Sequence, residues 1–313
     1  SAPWRKTRRG ARPSSLRLNK RKSHMDYTLV LTAALGALDD ACVKAVAAVT
    51  RTPPHWLSPG TACEFRVADR KIVDTARAAI GSTRADANVV ANERRKKRLL
   101  IADMDSTIIG CECVDEIADF AGIKPQIAAI TERSMRGEIP FESALRERVA
   151  LLKGLPESTL TRVFKERVRL NEGARILVRT MAEHGATTAL ISGGFTFFTS
   201  RVAEGAGFAT HQANELVVEN GALAGTVREP ILGREAKREA LLRLAREHHI
   251  SPLDALAIGD GANDLDMINE AGLGVAYRAK PVVAAAAQAR LDHSDLSAAL
   301  YLQGFRDADL VMD

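Results

Sequence analysis

Short apolar runs that stop abruptly at polar or glycine-rich turns recur along this chain, separated by longer amphipathic stretches. The clearest run, Leu99-Leu100-Ile101-Ala102, follows the basic stretch at 94–98 and ends in Asp103-Met104-Asp105-Ser106-Thr107. Consecutive apolar residues without alternation suit a strand buried on both faces of a parallel sheet. Ala189-Leu190-Ile191 running into Ser192-Gly193-Gly194 repeats this plan, as does Leu256-Ala257-Ile258 running into Gly259-Asp260-Gly261-Ala262-Asn263-Asp264. A further strand is predicted at 273–276. Helices are predicted at 173–184, 195–206, 234–249 and 263–271, the first closed by Gly185 and the last by Gly272, with another in the Ala-rich run 284–287. Alternation of this kind implies a doubly wound α/β sheet, whose ligands gather beyond the carboxyl ends of its strands. Asn220-Gly221 between Leu216-Val217-Val218 and Leu223-Ala224 predicts a β-hairpin.

Two other regions depart from this alternation. Segments 114–121, 125–136, 140–152 and 156–168 all read as helices, three with proline at the first turn. Four amphipathic helices inserted after the acid pair must bury their apolar faces, which makes residues 111–172 a helical cap over the carboxyl edge of the sheet. Residues 26–92 form a small α+β domain, with strands at 27–31, 62–67 and 87–90 and helices at 40–49 and 71–80. It is ACT-like or ferredoxin-like if Trp56-Leu57 supplies a fourth strand, and it is a candidate docking or homodimerisation module. The remainder, residues 93–313, holds the alternating sheet and the cap.

Length and charge change the picture only at the amino end. A chain of 313 residues fits two domains and needs no disulfide or structural metal to hold a core. Residues 1–24 hold nine Lys or Arg and no acid, leaving 35 basic against 39 acidic residues elsewhere, so the net charge of +5 belongs to the arm. Residues 1–25 read as a disordered basic arm or a cloning remnant ahead of a natural start at Met25, with a transit peptide or nucleic-acid-binding tail as further readings. The rest has no surplus of charge for nucleic acid. No apolar run approaches the roughly 20 residues of a membrane span. Cys42, Cys63, Cys111 and Cys113 lack metal or disulfide spacing, which suits a reduced, cytoplasmic protein.

The order of the polar turns carries the chemistry: an acid pair, Ser-Gly, Lys237 near a helix start, then Gly-Asp-Gly-x-Asn-Asp. It resembles the four motifs of the haloacid dehalogenase superfamily and, from Leu99 to about Leu302, the phosphoserine phosphatases within it. The resemblance implies an HAD-like fold and a catalytic pair, Asp103 as the nucleophile that becomes an aspartyl-phosphate and Asp105 as the acid and base. It implies phosphate contacts from Ser192, Gly193, Lys237 and Asn263. It also implies a Mg²⁺ site built from Asp103, the Asp105 carbonyl, Asp260 and Asp264. Glu112 matches the family's ammonium-binding residue and Arg148 its carboxylate-binding residue, while Met135 and Phe141 match apolar cap positions. The expected substrate is phosphoserine, cleaved in the last step of serine biosynthesis. Two alternatives stay open: a phosphotransferase that passes the phosphoryl group to homoserine, and a non-catalytic amino-acid sensor.

Overall fold

The computed structural model describes residues 26–136 and 138–312, apart from the side chain of Met135; the arm at 1–25 lies outside the described residues. The chain opens with β1 (Tyr27–Ala33), α1 (Asp40–Thr50), β2 (His55–Ser58), β3 (Ala62–Val67), α2 (Ile72–Ile80) and β4 (Ala85–Ala91). Trp56 and Leu57 do supply a strand, β2, and the four strands pair antiparallel in the order β2-β3-β1-β4. Alternation along β1 divides the sheet's two faces. Leu29 and Leu31 pack with Val43 and Val46 of α1 and with Phe65. Val30 joins the core of the rest of the chain, and the Thr32 hydroxyl meets that of Ser294 at 2.8 Å.

The second unit begins with β5 (Leu99–Ala102) and continues through the cap helices α3 (Cys113–Phe120), α4 (Lys124–Met135), α5 (Phe141–Ala150) and α6 (Ser158–Arg167). Then come α7 (Ala174–Glu183), β6 (Thr187–Phe195), α8 (Thr196–Ala206), β7 (Thr210–Asn214), β8 (Leu216–Glu219), β9 (Ala222–Val227) and α9 (Arg234–Glu247). The last elements are β10 (Ala255–Gly259), α10 (Leu265–Glu270), β11 (Leu273–Tyr277), α11 (Pro281–Ala286), β12 (Ala289–Leu291) and α12 (Ala298–Leu302). Six of these strands form one parallel sheet in the order β12-β11-β10-β5-β6-β7.

The four apolar residues of β5 are fully buried because both faces of the sheet are covered. Leu99 and Ile101 enter a core with Leu241 and Leu244 of α9 and Met267 of α10. Leu100 and Ala102 enter the opposite core, with Leu177 of α7 and Phe198 of α8. Register sets the site: Ala102 pairs with both Ile258 of β10 and Leu190 of β6, so all three strands deliver their following residues to one rim.

Several expectations need correction. Of the cap helices, α4 alone has proline in its first turn; Pro140 is the N-cap of α5, and Pro156 precedes α6. Ser192-Gly193-Gly194 continues β6 as extended chain to Phe195 instead of forming a turn. Strands β7 and β12 were not anticipated. The predicted hairpin forms as β8-β9 and flanks the cap, where Gly154 N–H donates to the Leu223 carbonyl at 2.8 Å and Leu223 N–H to that of Leu155 at 2.9 Å.

The two units join where β4 meets β12 and the chain after it. Asn88 reads Arg290 in both directions, its amide donating to the carbonyl at 2.8 Å and accepting from the N–H at 2.9 Å. Buried Asp86 accepts from the backbone N–H groups of Asp292, His293 and Ser294 and from the Ser294 hydroxyl. A buried carboxylate with this many donors stays satisfied without a counter-charge.

Candidate active site

Asp103 leaves the end of β5 with its N–H donated to the Ile258 carbonyl at 3.0 Å, a ladder-like bond that fixes its direction. The residue is 5 % exposed, and its carboxylate accepts from Lys237 Nζ at 2.6 Å. Lys237, in the first turns of α9 and 2 % exposed, also donates to Asp264 Oδ1 at 2.5 Å. The other oxygen of Asp264 accepts the N–H groups of Asp260 at 3.1 Å and Gly261 at 3.0 Å, so this carboxylate shapes its own loop. Gly259 is required there, because a Cβ would stand 2.4 Å from Asp264 Cγ.

Oxygens of Asp103, Asp260 and Asp264 lie within 4.8 Å of one another. One ammonium faces three carboxylates in a low-dielectric rim, and their proton affinities show it. Burial, then the charge of Asp264, raises the Asp103 pKa well above the usual carboxylate range, against the pull of Lys237. Burial, followed by Asp264 and Glu112, lifts Asp260 to about 6. For Lys237 burial works against the charge, but Asp103 and Asp264 outweigh it and the ammonium is held more firmly than in water. Three hard oxygen donors short of positive charge suit a small divalent cation such as Mg²⁺, and the absence of His and Cys from this set argues against zinc.

Asp105 sits two residues on, in a tight turn where Ser106 takes φ +55°. Its Oδ1 accepts the Cys113 N–H at 2.9 Å, and Ser192 Oγ donates to its Oδ2 at 3.4 Å. Burial, then repulsion from Glu112, raises its pKa to about 7. The Ser192 hydroxyl in turn accepts the Gly194 N–H at 2.8 Å, and Gly194 has no room for a Cβ, which would lie 2.9 Å from Asp105 Oδ2.

The cap brings further residues to the same mouth. Exposed Glu112 accepts at 2.6 Å from the Oγ of Ser106, the residue after Asp105. Half-buried Arg148 of α5 donates Nε to the Ala144 carbonyl at 3.3 Å; burial lowers its pKa, while Asp115, Glu112 and Asp105 favour its charge. Phe141 covers the Ser-Gly stretch, since a methyl group on Gly193 would stand 3.2 Å from its ring. Asn263 packs its side-chain oxygen against Gly261. Met135 ends α4, and its side chain lies outside the described residues.

A sequence model of the haloacid dehalogenase-like hydrolases matches residues 100–269, which span β5, the cap, Lys237 and the Asp260–Asp264 loop. The chain belongs to that family. A phosphoserine phosphatase from Polaromonas sp. is 47% identical over 210 residues, 66% of this chain and 89% of that protein. One from Archaeoglobus fulgidus is 45% identical over 202 residues, 64% of this chain, and the chain spans only 58% of its length. The crystal structure of a HAD family hydrolase from Salmonella enterica serovar Typhi superposes with a TM-score of 0.79 at 27% identity. It covers 88% of this chain and 98% of its own, a share larger than the second unit alone can supply.

Three residues of this family member act on the rim without having been singled out from the sequence. Buried Thr107 donates to Asp260 Oδ1 at 3.3 Å, and its carbonyl accepts from Asn171 Nδ2 at 2.7 Å. Buried Asn214, at the end of β7, donates to the carbonyls of Gly193 at 2.9 Å and Leu232 at 3.4 Å and accepts the Leu232 N–H at 2.8 Å. Thr107 sits beside the acid pair, which was its only signal; Asn171 and Asn214 had none.

Proposed function

We propose that this chain is a Mg²⁺-dependent phosphatase of O-phosphoserine, releasing serine and inorganic phosphate in the cytoplasm as the last step of serine biosynthesis. The reading rests on one juxtaposition: a buried carboxylate at the end of the central strand, held by a lysine 2.6 Å away and grouped with two further acids. The relatives named phosphoserine phosphatase support the substrate. Asp103 and Asp260 through their carboxylates, and Asp105 through its carbonyl, would hold the Mg²⁺, with Asp264 ordering the loop. The bound cation offsets repulsion between these acids and a dianionic phosphate.

Asp103 attacks phosphorus and forms the aspartyl-phosphate, while neutral Asp105 gives its proton to the departing serine oxygen. The resulting Asp105 carboxylate then takes a proton from the water that attacks the same phosphorus, which frees Asp103 and releases phosphate. A pKa of about 7 lets one group serve both steps. Lys237, the Ser192 hydroxyl, the Gly193 backbone and Asn263 receive the phosphoryl oxygens as charge shifts among them. Glu112 pairs with the substrate's ammonium and Arg148 with its carboxylate. Phe141 closes over the site and excludes water. Residues 26–92 are read as an ACT-like, ferredoxin-like module that docks on the catalytic unit and offers a homodimer surface.

Product analysis with phosphoserine, with and without homoserine, tests the reaction. Free serine and phosphate in both arms supports hydrolysis, phosphohomoserine would establish the transferase, and no turnover with Mg²⁺ present would leave a sensor. Arg148→Ala is expected to lower kcat/KM for phosphoserine by about a hundredfold while changing an aryl phosphate little, because only the amino acid carries the carboxylate. Equal losses on both would mean the carboxylate is read elsewhere. Chelation should abolish turnover and Mg²⁺ restore it. Cation affinity should weaken as pH falls through about 6, where Asp260 takes up a proton that competes with the ion. Calorimetric titration across that range checks this, and a flat affinity would remove Asp260 from the site.

A further inference from the structure

Beside Asp105 lie two thiols that the proposed reaction does not use. Glu112, between Cys111 and Cys113, is extended at φ −95° and ψ 111°, and an extended residue turns its two neighbours to the same face. Cys113 is buried at the start of α3, whereas Cys111 is half-buried and points its thiol toward the Arg167 carbonyl at 4.0 Å. The neighbouring Cys111 thiol, then burial and Asp105, raise the Cys113 thiol well above its ordinary pKa, so it stays protonated until Cys111 is oxidised beside it. This short segment is tied to the catalytic turn three times. Cys113 N–H donates to Asp105 Oδ1 at 2.9 Å, Ser106 N–H to the Cys111 carbonyl at 3.2 Å, and Ser106 Oγ to Glu112 Oε1 at 2.6 Å. Cys42 and Cys63, by contrast, are buried in the core of the first unit.

We propose that Cys111 and Cys113 form a peroxide-sensitive dithiol whose closure into a disulfide turns the active site off. Hydrogen peroxide transfers one oxygen to the Cys111 sulfur, giving a sulfenic acid and one water. The Cys113 sulfur then attacks the Cys111 sulfur; the S–S bond forms, the S–O bond breaks, and the hydroxyl leaves with the thiol proton as a second water. Two thiols are oxidised by two electrons and the peroxide is reduced to two waters. Extended chain spans roughly 6.6–7.2 Å over two residues, whereas disulfides favour Cα separations of about 5.5–6 Å. Closure therefore contracts the segment, draws the Cys113 N–H from Asp105 and turns Glu112 away from Ser106. A thiol reductant reverses both changes.

The loss of activity rests on the reading of Asp105 as acid and base, so the test measures bond and turnover separately. The full chain is treated with graded hydrogen peroxide, quenched, and divided between peptide mass measurement and assays on phosphoserine and an aryl phosphate. The expected result is loss of two hydrogens from the peptide holding Cys111 and Cys113, with turnover falling in proportion, by about a hundredfold at full closure, and returning with dithiothreitol. Cys111→Ser should keep the reduced turnover and resist peroxide. Full turnover in protein carrying the bond would overturn the inference, as would absence of the bond or equal reversible inactivation of Cys111→Ser. Reduced protein that cleaves the aryl phosphate but not phosphoserine would overturn the substrate reading alone.

Discussion

Asp103→Asn is expected to lower turnover by a factor on the order of 10⁴ or more while leaving the fold in place. The amide matches the carboxylate in shape but lacks a nucleophilic oxygen, so no phosphorylated enzyme can form. Packing gives little reason for collapse. The Lys237 ammonium keeps Asp264 at 2.5 Å, and removing one of two neighbouring negative charges relieves the repulsion that raises Asp103's proton affinity. Acid quenching during turnover of ³²P-phosphoserine should trap label on the native protein and none on the variant, with both melting within a few degrees. Because Asp103 is also proposed to hold the cation, the comparison is made at saturating Mg²⁺. Undiminished turnover there would remove Asp103 from the nucleophile's place and leave it as a metal ligand.

What could be read from the sequence follows how local each signal is. The convergence of the polar rim was legible because Leu99–Ala102, Ala189–Ile191 and Leu256–Ile258 each pair an apolar strand with its own polar ending, and parallel pairing brings those endings together. Strand β7 was hidden because Thr-His-Gln-Ala-Asn at the sheet edge is partly solvated and shows no apolar run. Strand β12 has three residues, too few for any period to show. With β7 went Asn214, whose brace on Gly193 exists only when strand and loop have met. Asp86 reads as an ordinary turn acid, and its four donors come from residues more than 200 positions away. The raised proton affinity of Asp105 is also tertiary, since its burial comes from the packed fold and the approach of Glu112 from the Ser106 turn.

Lys237→Met should harm both catalysis and stability, and the proportion between the two losses identifies what the lysine does. Met fills a similar volume, so the change removes charge with little effect on shape. Asp103 and Asp264 then face each other in the interior without their shared ammonium, and breaking a buried pair in this way costs about 3 kcal/mol, or a Tm lower by on the order of 10 °C. The pair responds by taking up a proton, which blunts the nucleophile, and the transferring phosphoryl group loses its nearest cation. Turnover should therefore fall by about a thousandfold. Saturating Mg²⁺ should recover part of the lost Tm, because a divalent ion also compensates the carboxylates, but it should not recover turnover, which needs a charge at the position of Nζ. Lys237→Arg separates charge from shape: its planar fork cannot reproduce contacts of 2.5 and 2.6 Å from one nitrogen to two acids, so stability should return further than activity. A Met variant that melts early yet turns over normally with Mg²⁺ would make Lys237 a structural counter-ion with no part in phosphoryl transfer.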